Sequence, residues 1–387
     1  MKLMGYRREK GPHGVRNYVL VLPTSVCAAD TAEKIAAQVP GAVSVPTQHG
    51  CCQIGSDLAL TENTLAGFGR NANVGAVLVV GLGCDGIQAS HLASLIAPTG
   101  KAVESIVIQE EGGTLNAIAR GVRIAAELAR RISDQTREEF DISELILGME
   151  CGGSDPTSGL ASNPTIGYVS DKLVDLGGSS ILSETTEVIG AEHLLAQRFA
   201  DEAQRAKFLR MVQDVENRAI ALGQDLRSGQ PTPGNKEGGL STIEEKSLGC
   251  MYKAGTKPFK GALEYSEPLP TEQPGLYFMD TPGQDIDSIT GMVAGGAQVI
   301  VFSTGRGTPT GSPIAPVIKI TGNSSTFANM PDNIDINAGR IITEGVSLPQ
   351  LGEELFDMMV EVCNGKQTKA EALGHREFGI FKLTGTF

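Results

Sequence analysis

The stretch VPTQHGCCQIGSD at residues 45–57 places one histidine and two cysteines within four positions. The whole chain has only five histidines and seven cysteines, so this clustering is unusual. The stretch follows a short apolar run and precedes a helix-like segment, which predicts that His49 and Cys51 lie in a loop. Imidazole and thiolate groups bind Fe(II) and Zn(II), and imidazole also acts as a general base. We therefore predict that His49 is a catalytic residue, a metal ligand or both.

Two further cysteines stand in similar loops. Cys84 comes shortly after the apolar run AVLVVG, and Cys151 comes shortly after LILGM, each beside glycines. A single cysteine is more often a small buried apolar residue than a ligand, but three in equivalent loops weaken that interpretation. With His49 they predict a metal site, and an iron–sulfur cluster on three thiolates is the alternative, although no standard cysteine spacing supports it. The other cysteines predicted to be packing residues are Cys27, Cys250 and Cys363.

Carboxylates stand at predicted strand ends or in glycine-bearing loops, namely Glu150, Asp155, Glu184 and Asp280. Two such groups close together bind a divalent cation or share a proton. We predict Glu150 and Asp155 as metal ligands, although Asp155 has a simpler alternative as the N-cap of the helix that follows. Glu184 is predicted as an acid or base, and Asp280 as a residue that contacts substrate.

Four basic residues are candidates for holding an anionic substrate, namely Arg16, Arg306, Lys236 and Lys319. Arg306 lies between glycines in TGRGTP, and a guanidinium grips a carboxylate through two parallel hydrogen bonds. A plain turn is the alternative interpretation of that motif. We predict that Arg16, Arg306 and Lys319 bind substrate. Lys236 is predicted, like Glu184, to act as an acid or base.

Alternating strands and helices position these loops. Apolar runs at residues 17–24, 76–81 and 103–108 alternate with helix-like segments, which is typical of βα units. Continuous apolar strands between helices indicate a parallel sheet covered on both faces. Ligands bind at the carboxyl ends of the strands in such sheets. If all the strands share one sheet, the loops converge on one crevice.

The pattern predicts two α/β domains with mainly parallel sheets covered by helices. Residues 1–135 are predicted to form a doubly wound domain of the Rossmann or flavodoxin type, and DQTREEF at residues 134–140 reads as a polar linker. Residues 141–387 are predicted to form the second domain, which carries most of the glycine-rich loops. The Gly- and Pro-rich segment 224–239 is predicted to be a long functional loop.

Composition excludes several classes of protein. The chain has 387 residues, of which 41% are hydrophobic and 20% charged, as expected for a globular protein. A net charge of −13 disfavours binding to nucleic acid or anionic membranes. No apolar run approaches the ~20 residues of a membrane span, and the N-terminus lacks the apolar core of a signal peptide, so a cytoplasmic location is expected. No P-loop or GxSxG motif is present, and no G-x-G-x-x-G motif follows the first predicted strand.

The motifs, in this order, resemble the altronate/galactarate dehydratase family over nearly the whole chain. They run from GYRREKGPHGVRNYV through QHGC, VVGLGCD, ECGGSDPTSGLASNPTIG, ILSETTEVIGAEHLL, PTPGNKEGGLSTIEEKSLG, MDTPGQD and STGRGTPTG to DINAGRI. The resemblance implies a hydro-lyase that dehydrates a sugar acid to a 2-keto-3-deoxy acid. It also implies a divalent metal, usually Fe(II), with Mn(II) or another divalent cation as alternatives. One branch of the family, the large subunit of sulfolactate sulfo-lyase, eliminates sulfite instead, and a non-catalytic sugar-acid-binding protein is a third interpretation.

The resemblance also implies a partner. Full-length relatives carry a small β-rich N-terminal domain of the SAF type, whereas this chain starts at the GYRR motif. A separate small SAF-domain subunit and an oligomeric assembly are therefore expected. A second departure is Ser312, where some relatives have a cysteine, and this position is expected not to be essential.

β-Elimination from a 2,3-dihydroxy carboxylate needs stabilisation of an enolate, a base for the α-proton and an acid for the departing hydroxyl. A metal that chelates the carboxylate and the α-hydroxyl would supply the first requirement. The predicted ligand set combines imidazole, thiolate and carboxylate groups, namely His49, Cys51, Cys84, Cys151, Glu150 and Asp155.

Overall fold

The computed structural model describes residues 1–229 and 231–386. These ranges contain thirteen strands, numbered here in chain order: β1 (Lys2–Gly5), β2 (Tyr18–Pro23), β3 (Ala42–Ser44), β4 (Val74–Gly81), β5 (Ala102–Val107), β6 (Glu138–Asp141), β7 (Ile146–Gly152), β8 (Ser179–Leu182), β9 (Phe259–Leu263), β10 (Leu276–Met279), β11 (Val299–Thr304), β12 (Val317–Thr321) and β13 (Ile336–Asn337).

The same ranges contain fifteen α-helices: α1 (Val26–Ala36), α2 (Gly55–Arg70), α3 (Ala89–Ile96), α4 (Thr114–Ser133), α5 (Asn163–Asp175), α6 (Glu192–Ala196), α7 (Glu202–Ala221), α8 (Leu226–Gly229), α9 (Pro233–Glu237), α10 (Ile243–Met251), α11 (Asp285–Ala294), α12 (Ser324–Asn329), α13 (Arg340–Thr343), α14 (Leu348–Cys363) and α15 (Lys369–Leu373). One turn of π-helix, Ser158–Ser162, leads into α5.

The first sheet has four parallel strands in the order β3-β2-β4-β5. Helices α1 and α4 pack in the core on one face, and α2 and α3 pack on the other. Every residue of the central strand β4 is buried, as a strand covered on both faces requires. The predicted doubly wound arrangement is therefore confirmed for this sheet.

The second sheet has seven strands in the order β13-β12-β11-β7-β8-β10-β9, and every neighbouring pair is parallel. Strands β7 and β11 lie at its centre and are buried along their whole length. Parallel strands end at the same edge of a sheet, so the segments that follow β7, β8, β10 and β11 meet there. The predicted α/β class with helix-covered parallel sheets is confirmed.

The two sheets share part of their packing. Residues from α2 and from α11 belong to one hydrophobic core, where Phe68 packs with Met292. A Cβ atom on Gly67 would lie 2.5 Å from the carbonyl oxygen of Ala294, so only glycine permits this close approach of the two helices. The ring of Phe378, near the C-terminus, packs edge-on against Phe68 with centroids 5.0 Å apart. The C-terminal segment thus reaches back onto the first sheet's helices.

The segments predicted to be irregular contain regular structure. Part of the predicted linker 134–140 is β6, which pairs with β1 in a separate two-stranded antiparallel ribbon. The predicted loop 224–239 contains the short helices α8 and α9, and Pro233 stands at the start of α9, where its missing N–H costs nothing. Both segments were predicted to be irregular from their local composition. Local composition contains no information on the strand that pairs with β6 or on the residues at the ends of the short helices. None of the described helices has the length and apolar character needed to cross a bilayer.

Candidate active site

Three carboxyl groups meet at the carboxyl edge of the seven-stranded sheet. Glu150 lies near the end of β7, Glu184 follows β8, and Asp285 begins α11. One oxygen of each lies within 4.8 Å of an oxygen of the others. Glu150 and Glu184 are completely buried, whereas Asp285 is half-buried. We call these three residues the carboxylate trio.

Hydroxyl groups support one side of the carboxylate trio. The Oε2 atom of Glu150 accepts hydrogen bonds from Ser288 Oγ at 2.6 Å and from Ser183 Oγ at 3.3 Å. Ser288 Oγ in turn lies 2.9 Å from Thr281 Oγ1. Within the described ranges, the Oε1 atoms of Glu150 and Glu184 have no hydrogen-bond partner. Each of these two buried carboxyl groups therefore has one oxygen without a hydrogen-bond partner.

Backbone geometry makes room for the carboxylate trio. A Cβ atom on Gly152 would lie 2.3 Å from Asp285 Oδ2, so this position accommodates the Asp285 carboxylate only as glycine. Glu184 adopts φ = 71°, a left-handed conformation that non-glycine residues rarely adopt. Its backbone N–H donates to Thr281 Oγ1 at 2.7 Å, which holds the strained residue in place. Backbone strain of this kind concentrates at functional sites.

Two ammonium groups lie beside the carboxylate trio. Lys253 is buried, with Nζ 2.5 Å from Glu184 Oε2 and 3.5 Å from Glu187 Oε2. Glu187 is also bound by Lys246 Nζ at 3.0 Å and by Cys250 Sγ at 2.8 Å. Burial alone would raise the pKa of Glu187, but the two ammonium groups and the thiol outweigh it and hold the pKa at about 2. Glu187 is therefore ionised and anchors both lysines.

In the carboxylate trio, the effect of burial prevails, and the pKa values are raised. Burial raises the pKa of Glu150 well above the usual range, and the nearby Asp285 adds to that rise. It also raises the pKa of Glu184, with further contributions from Glu150 and Glu187. For Asp285, burial followed by the charge of Glu187 raises the pKa to about 6. Four carboxyl groups thus face two ammonium groups, so the carboxylate trio retains protons unless a cation replaces them.

A buried thiol pair completes the cluster. Cys151 and Cys250 lie with Glu187 in a second group whose ligand atoms are within 4.8 Å of one another. Cys151 Sγ is also 2.8 Å from Ser154 Oγ. A hydrogen bond from Cys250 lowers the pKa of the Cys151 thiol against the effect of burial, and Lys253 lowers it further. Cys250, predicted to be a packing residue, is instead a member of this polar cluster.

Two cavities flank the cluster. One of about 230 Å³ reaches Lys246 and Cys250 and has several apolar residues in its wall, among them Leu160 and Leu240. The other, of about 470 Å³, is lined by Thr281 and Asp280. The first cavity is thus lined by two members of the cluster, and the second by Thr281, whose Oγ1 contacts Ser288 Oγ.

Two family models match the chain. Residues 142–386 match the C-terminal part of D-galactarate/altronate dehydratases, and residues 5–133 match the second domain of D-galactarate dehydratase/altronate hydrolase. The chain belongs to the galactarate/altronate dehydratase family. The expected family is thereby confirmed for both sheets of the structure.

Curated relatives of this dehydratase-family chain include two kinds of enzyme. It is 40% identical to a (2R)-sulfolactate sulfo-lyase subunit beta from Chromohalobacter salexigens over 98% of this chain and 97% of that one. It is 38% identical to an altronate dehydratase from Escherichia coli and 35% identical to one from Bacillus subtilis, and in both cases it covers 77% of the relative. Dehydratases and sulfo-lyases are both lyases, so the predicted enzyme class is confirmed.

In the dehydratase-family chain, three of the predicted residues follow strands of the first sheet. His49 and Cys51 follow β3, and Cys84 follows β4. Cys51 Sγ lies 3.8 Å from Cys52 Sγ, and the exposed Cys84 lies 3.9 Å from Gln109 Nε2. Neither group of ligand atoms found among the described residues includes His49, Cys51 or Cys84. The strands form two sheets, whereas the prediction of a single crevice depends on one shared sheet, and the catalytic and metal-binding roles of these residues stay predictions.

Two predicted acidic residues have protein partners. Asp155 Oδ1 accepts hydrogen bonds from Thr157 Oγ1 at 2.5 Å and from Ser158 N at 3.2 Å, and Oδ2 accepts one from Asn323 Nδ2 at 3.0 Å. These contacts correspond to the helix-capping interpretation of Asp155. Asp280 Oδ1 accepts a hydrogen bond from Thr185 Oγ1 at 2.5 Å, and the residue lines the larger cavity.

The loops that carry Arg306 and Lys236 are neighbours. Arg306 Nη1 donates to Gly234 O at 2.7 Å and lies 3.3 Å from Glu237 Oε2. Arg306 and Lys236 are both exposed. The structure thus brings these two predicted residues together at the surface, near the cap residue Asp155 but outside the buried cluster.

Arg16 ties distant parts of the chain together. Its guanidinium is bound by both carboxylate oxygens of Glu371 at 2.7 and 2.8 Å. The remaining N–H groups donate to the carbonyl oxygens of Val15, Val362 and Lys366, each at 2.9 Å. All five N–H donors are engaged, so this geometry leaves none for a substrate. The contacts are those of a structural tie and do not support the predicted role in substrate binding.

We expect Arg16→Ala to lower the free energy of unfolding by about 3 kcal/mol, because it removes a two-pronged ion pair with the partly buried Glu371 and three hydrogen bonds to backbone carbonyl groups. Urea unfolding followed by circular dichroism measures the loss. The matched control is Arg7→Ala, which removes an exposed side chain and should change stability little. Unchanged stability together with a raised KM would instead identify Arg16 as a substrate clamp.

Lys319 is also buried, and its contacts are structural. Its Nζ donates to the carbonyl oxygens of Pro309 at 3.0 Å and Thr310 at 2.9 Å. Burial lowers its pKa to about 8, although the facing Asp335 and Glu377 oppose that shift. Like Arg16, it does not reach the carboxylate trio or its cavities.

The pKa of Lys319 predicts a pH-dependent contribution to stability. Because the folded value of about 8 lies below the unfolded value of ~10.4, the unfolded state binds more protons between the two, and stability rises with pH in that window. Relative to Lys319→Met, the wild type should gain about 2 kcal/mol between about pH 7 and about pH 10. Urea unfolding of both proteins across this range measures the difference, and a pH-independent difference would contradict the expectation.

Proposed function

We propose that the protein is a divalent-metal-dependent lyase that removes water from a sugar acid by β-elimination and yields a 2-keto-3-deoxy acid. One observation carries the proposal: a buried trio of carboxyl groups with two unpaired oxygens lies beside a buried lysine at the carboxyl edge of a parallel sheet. The names of its relatives support the substrate class, since they include altronate and galactarate dehydratases.

The carboxylate trio fits a divalent cation. Carboxylate oxygens are ligands for Fe(II), Mn(II) and Mg(II), and the Oε1 atoms of Glu150 and Glu184 lack any other partner among the described residues. Gly152 leaves the space that the Asp285 carboxylate occupies. We therefore assign the metal to Glu150, Glu184 and Asp285, with Fe(II) or Mn(II) as the cation. A cation held there would stabilise the negative charge that develops on the substrate carboxylate when the α-proton leaves.

Lys253 and Glu184 are positioned to move a proton. Glu184 offers two different oxygens, because Oε1 has no protein partner whereas Oε2 lies 2.5 Å from Lys253 Nζ. The ammonium at Nζ can give a proton to the Oε2 carboxylate and, as the neutral amine, take it back, which is the exchange that general acid–base catalysis requires. Glu187 fixes Lys253 from the other side, and complete burial of the pair excludes water. Glu184 thus keeps its predicted role as acid or base, with Lys253 as the partner that sequence reasoning missed.

The test is a substrate panel assayed with defined metals. The protein is stripped with EDTA, reloaded with Fe(II) or Mn(II), and given altronate, galactarate or sulfolactate, with and without a small SAF-domain partner. We expect 2-keto acid from a sugar acid only in the metal-loaded protein. Stoichiometric binding without product under every condition would overturn the proposal and favour a non-catalytic binding protein.

A sulfo-lyase is the second candidate. The 40% identity with the sulfolactate sulfo-lyase subunit extends over nearly the full length of both chains. The two reactions share the α-proton step and differ in the leaving group, so the carboxylate trio and Lys253 serve both. Release of sulfite from sulfolactate, without 2-keto acid from any sugar acid, would select this candidate.

We further propose that the chain works with another subunit. Its sulfo-lyase relative is named a subunit beta. A small SAF-domain protein is the proposed partner, in an oligomer that we place in the cytoplasm. Light scattering of the chain alone and mixed with that protein measures the assembly.

A further inference from the structure

The cavity of about 470 Å³ lies between α7 and the C-terminal segment, next to the loops that follow β8 and β10. Its wall includes Thr186, Asp280 and Thr281 from these loops, Arg218 from α7 and Lys382 from the C-terminal segment. We propose that this cavity is the subsite for the distal carboxylate and hydroxyl groups of a sugar acid, and that Arg218 and Lys382 determine specificity for the anion. The inference rests on the proposed function and adds the location and chemistry of the substrate's far end.

A chain of hydroxyl groups connects this cavity to the carboxylate trio. Thr281 lines the cavity, and its Oγ1 lies 2.9 Å from Ser288 Oγ. Ser288 Oγ lies 2.6 Å from Glu150 Oε2. Thr186, between Glu184 and Glu187 in sequence, borders the same cavity. Two hydroxyl side chains, Thr281 and Ser288, therefore separate a molecule in the cavity from the proposed metal ligand Glu150.

Most of the wall is apolar, with Val215, Leu222, Leu226, Phe381 and Leu383 among its residues, and the side chains of Arg218 and Lys382 are exposed. The charged side chains among the lining residues favour an anionic ligand. Two cations, Arg218 and Lys382, stand against one carboxylate, Asp280. Neither cation takes part in the salt bridges formed among the described residues, in contrast to Arg16. Asp280 accepts a hydrogen bond from Thr185, so polar groups for substrate hydroxyls already converge there. A guanidinium and an ammonium that form no salt bridge with the described residues are suited to bind a second carboxylate.

The size of the cavity agrees with this ligand. Small-molecule sites enclose roughly 300–1,000 Å³, and the volume of about 470 Å³ lies in that range. The cavity lined by Lys246 and Cys250 has a volume of about 230 Å³, which is smaller than that range. The larger cavity is therefore the better site for a six-carbon sugar acid.

Asp57 holds the segment that forms one wall. Its buried carboxylate accepts hydrogen bonds from Leu383 N at 2.7 Å, Thr384 N at 2.8 Å and Thr384 Oγ1 at 2.5 Å. Asp57 lies on α2 of the first sheet, whereas the cavity lies at the edge of the second. It is a positioning residue, because it fixes the segment that carries Lys382 without lining the cavity itself.

The experiment measures binding of galactarate to the EDTA-stripped protein by calorimetry, where no turnover takes place. We expect Arg218→Gln and Lys382→Gln each to weaken binding about tenfold or more, which is the usual effect of losing one charge-assisted contact. Arg210→Gln on the same helix removes an exposed arginine that does not line the cavity, and it should bind as the wild type does. Asp57→Asn should weaken binding less than Lys382→Gln.

The outcomes separate this inference from the proposed function. Binding that is equal in the wild type, Arg218→Gln and Lys382→Gln overturns the subsite, even if the metal-loaded protein makes 2-keto acid. Failure of the wild type to bind galactarate overturns it as well. Weakened binding in these variants, without product from the metal-loaded wild type either alone or with the SAF-domain partner, supports the subsite and refutes the dehydratase.

Discussion

Glu184→Gln is expected to lower kcat/KM by about 10³-fold or more in the metal-loaded protein. The substitution keeps the size of the side chain but removes a buried carboxylate that, in our proposal, offers Oε1 to the cation and Oε2 to Lys253. Loss of an acid–base group alone costs roughly 10²–10⁴-fold. Steady-state formation of 2-keto acid gives the rate. Metal content after dialysis against Mn(II), measured by mass spectrometry, should also fall.

The matched control is Glu202→Gln at the exposed start of α7, where rate and metal content should not change. Gly152→Ala provides an independent check, because its new Cβ would displace the Asp285 carboxylate without removing any ligand. That variant should lose metal as well. If Glu184→Gln keeps both the metal content and the rate of the wild type, the carboxylate trio is not the active site.

Lys253→Met is expected to destabilise the protein by about 4 kcal/mol and to abolish activity. Nζ is buried between Glu184 and Glu187, and removal of one partner of a buried ion pair leaves uncompensated charge, which typically costs 3–5 kcal/mol. Lys246 still faces Glu187 at 3.0 Å, so the loss falls mainly on Glu184. Urea unfolding measures the stability change, and Lys260→Met, at an exposed position of β9, is the control.

Lys253→Arg distinguishes charge from geometry in the same experiment. A guanidinium keeps the positive charge but cannot replace a compact ammonium between two carboxylates. We expect it to recover part of the lost stability and little of the activity. Wild-type activity in Lys253→Arg would show that Lys253 acts only as a counter-charge.

The active-site cluster left only a partial signal in the sequence. Lys246, Cys250 and Lys253 are spaced at i, i+4 and i+7, so they share one face of α10 and the turn after it. That stripe mixes cations with a thiol, and it could have been recognised as something other than packing. Asp285 belongs to the motif MDTPGQD, but the prediction of a substrate contact falls on the first aspartate of that motif, Asp280.

The amino-acid sequence by itself determined the family, the α/β class and the position of polar loops at strand ends. Apolar runs of strand length and glycine-flanked motifs are local features, and local features can be read along the chain. It also indicated Glu150, Cys151 and Glu184, because each lies at or just after the end of a predicted strand.

The tertiary structure alone decided which loops meet. Strand order is set by long-range pairing, and β7 lies between β8 and β11 in a sheet that excludes the strands before His49 and Cys84. The thiols and the imidazole that the sequence grouped together are therefore divided between two sheet edges. Lys253, Glu187 and Asp285 come together from three separate segments because their burial and charge compensation depend on neighbours in space.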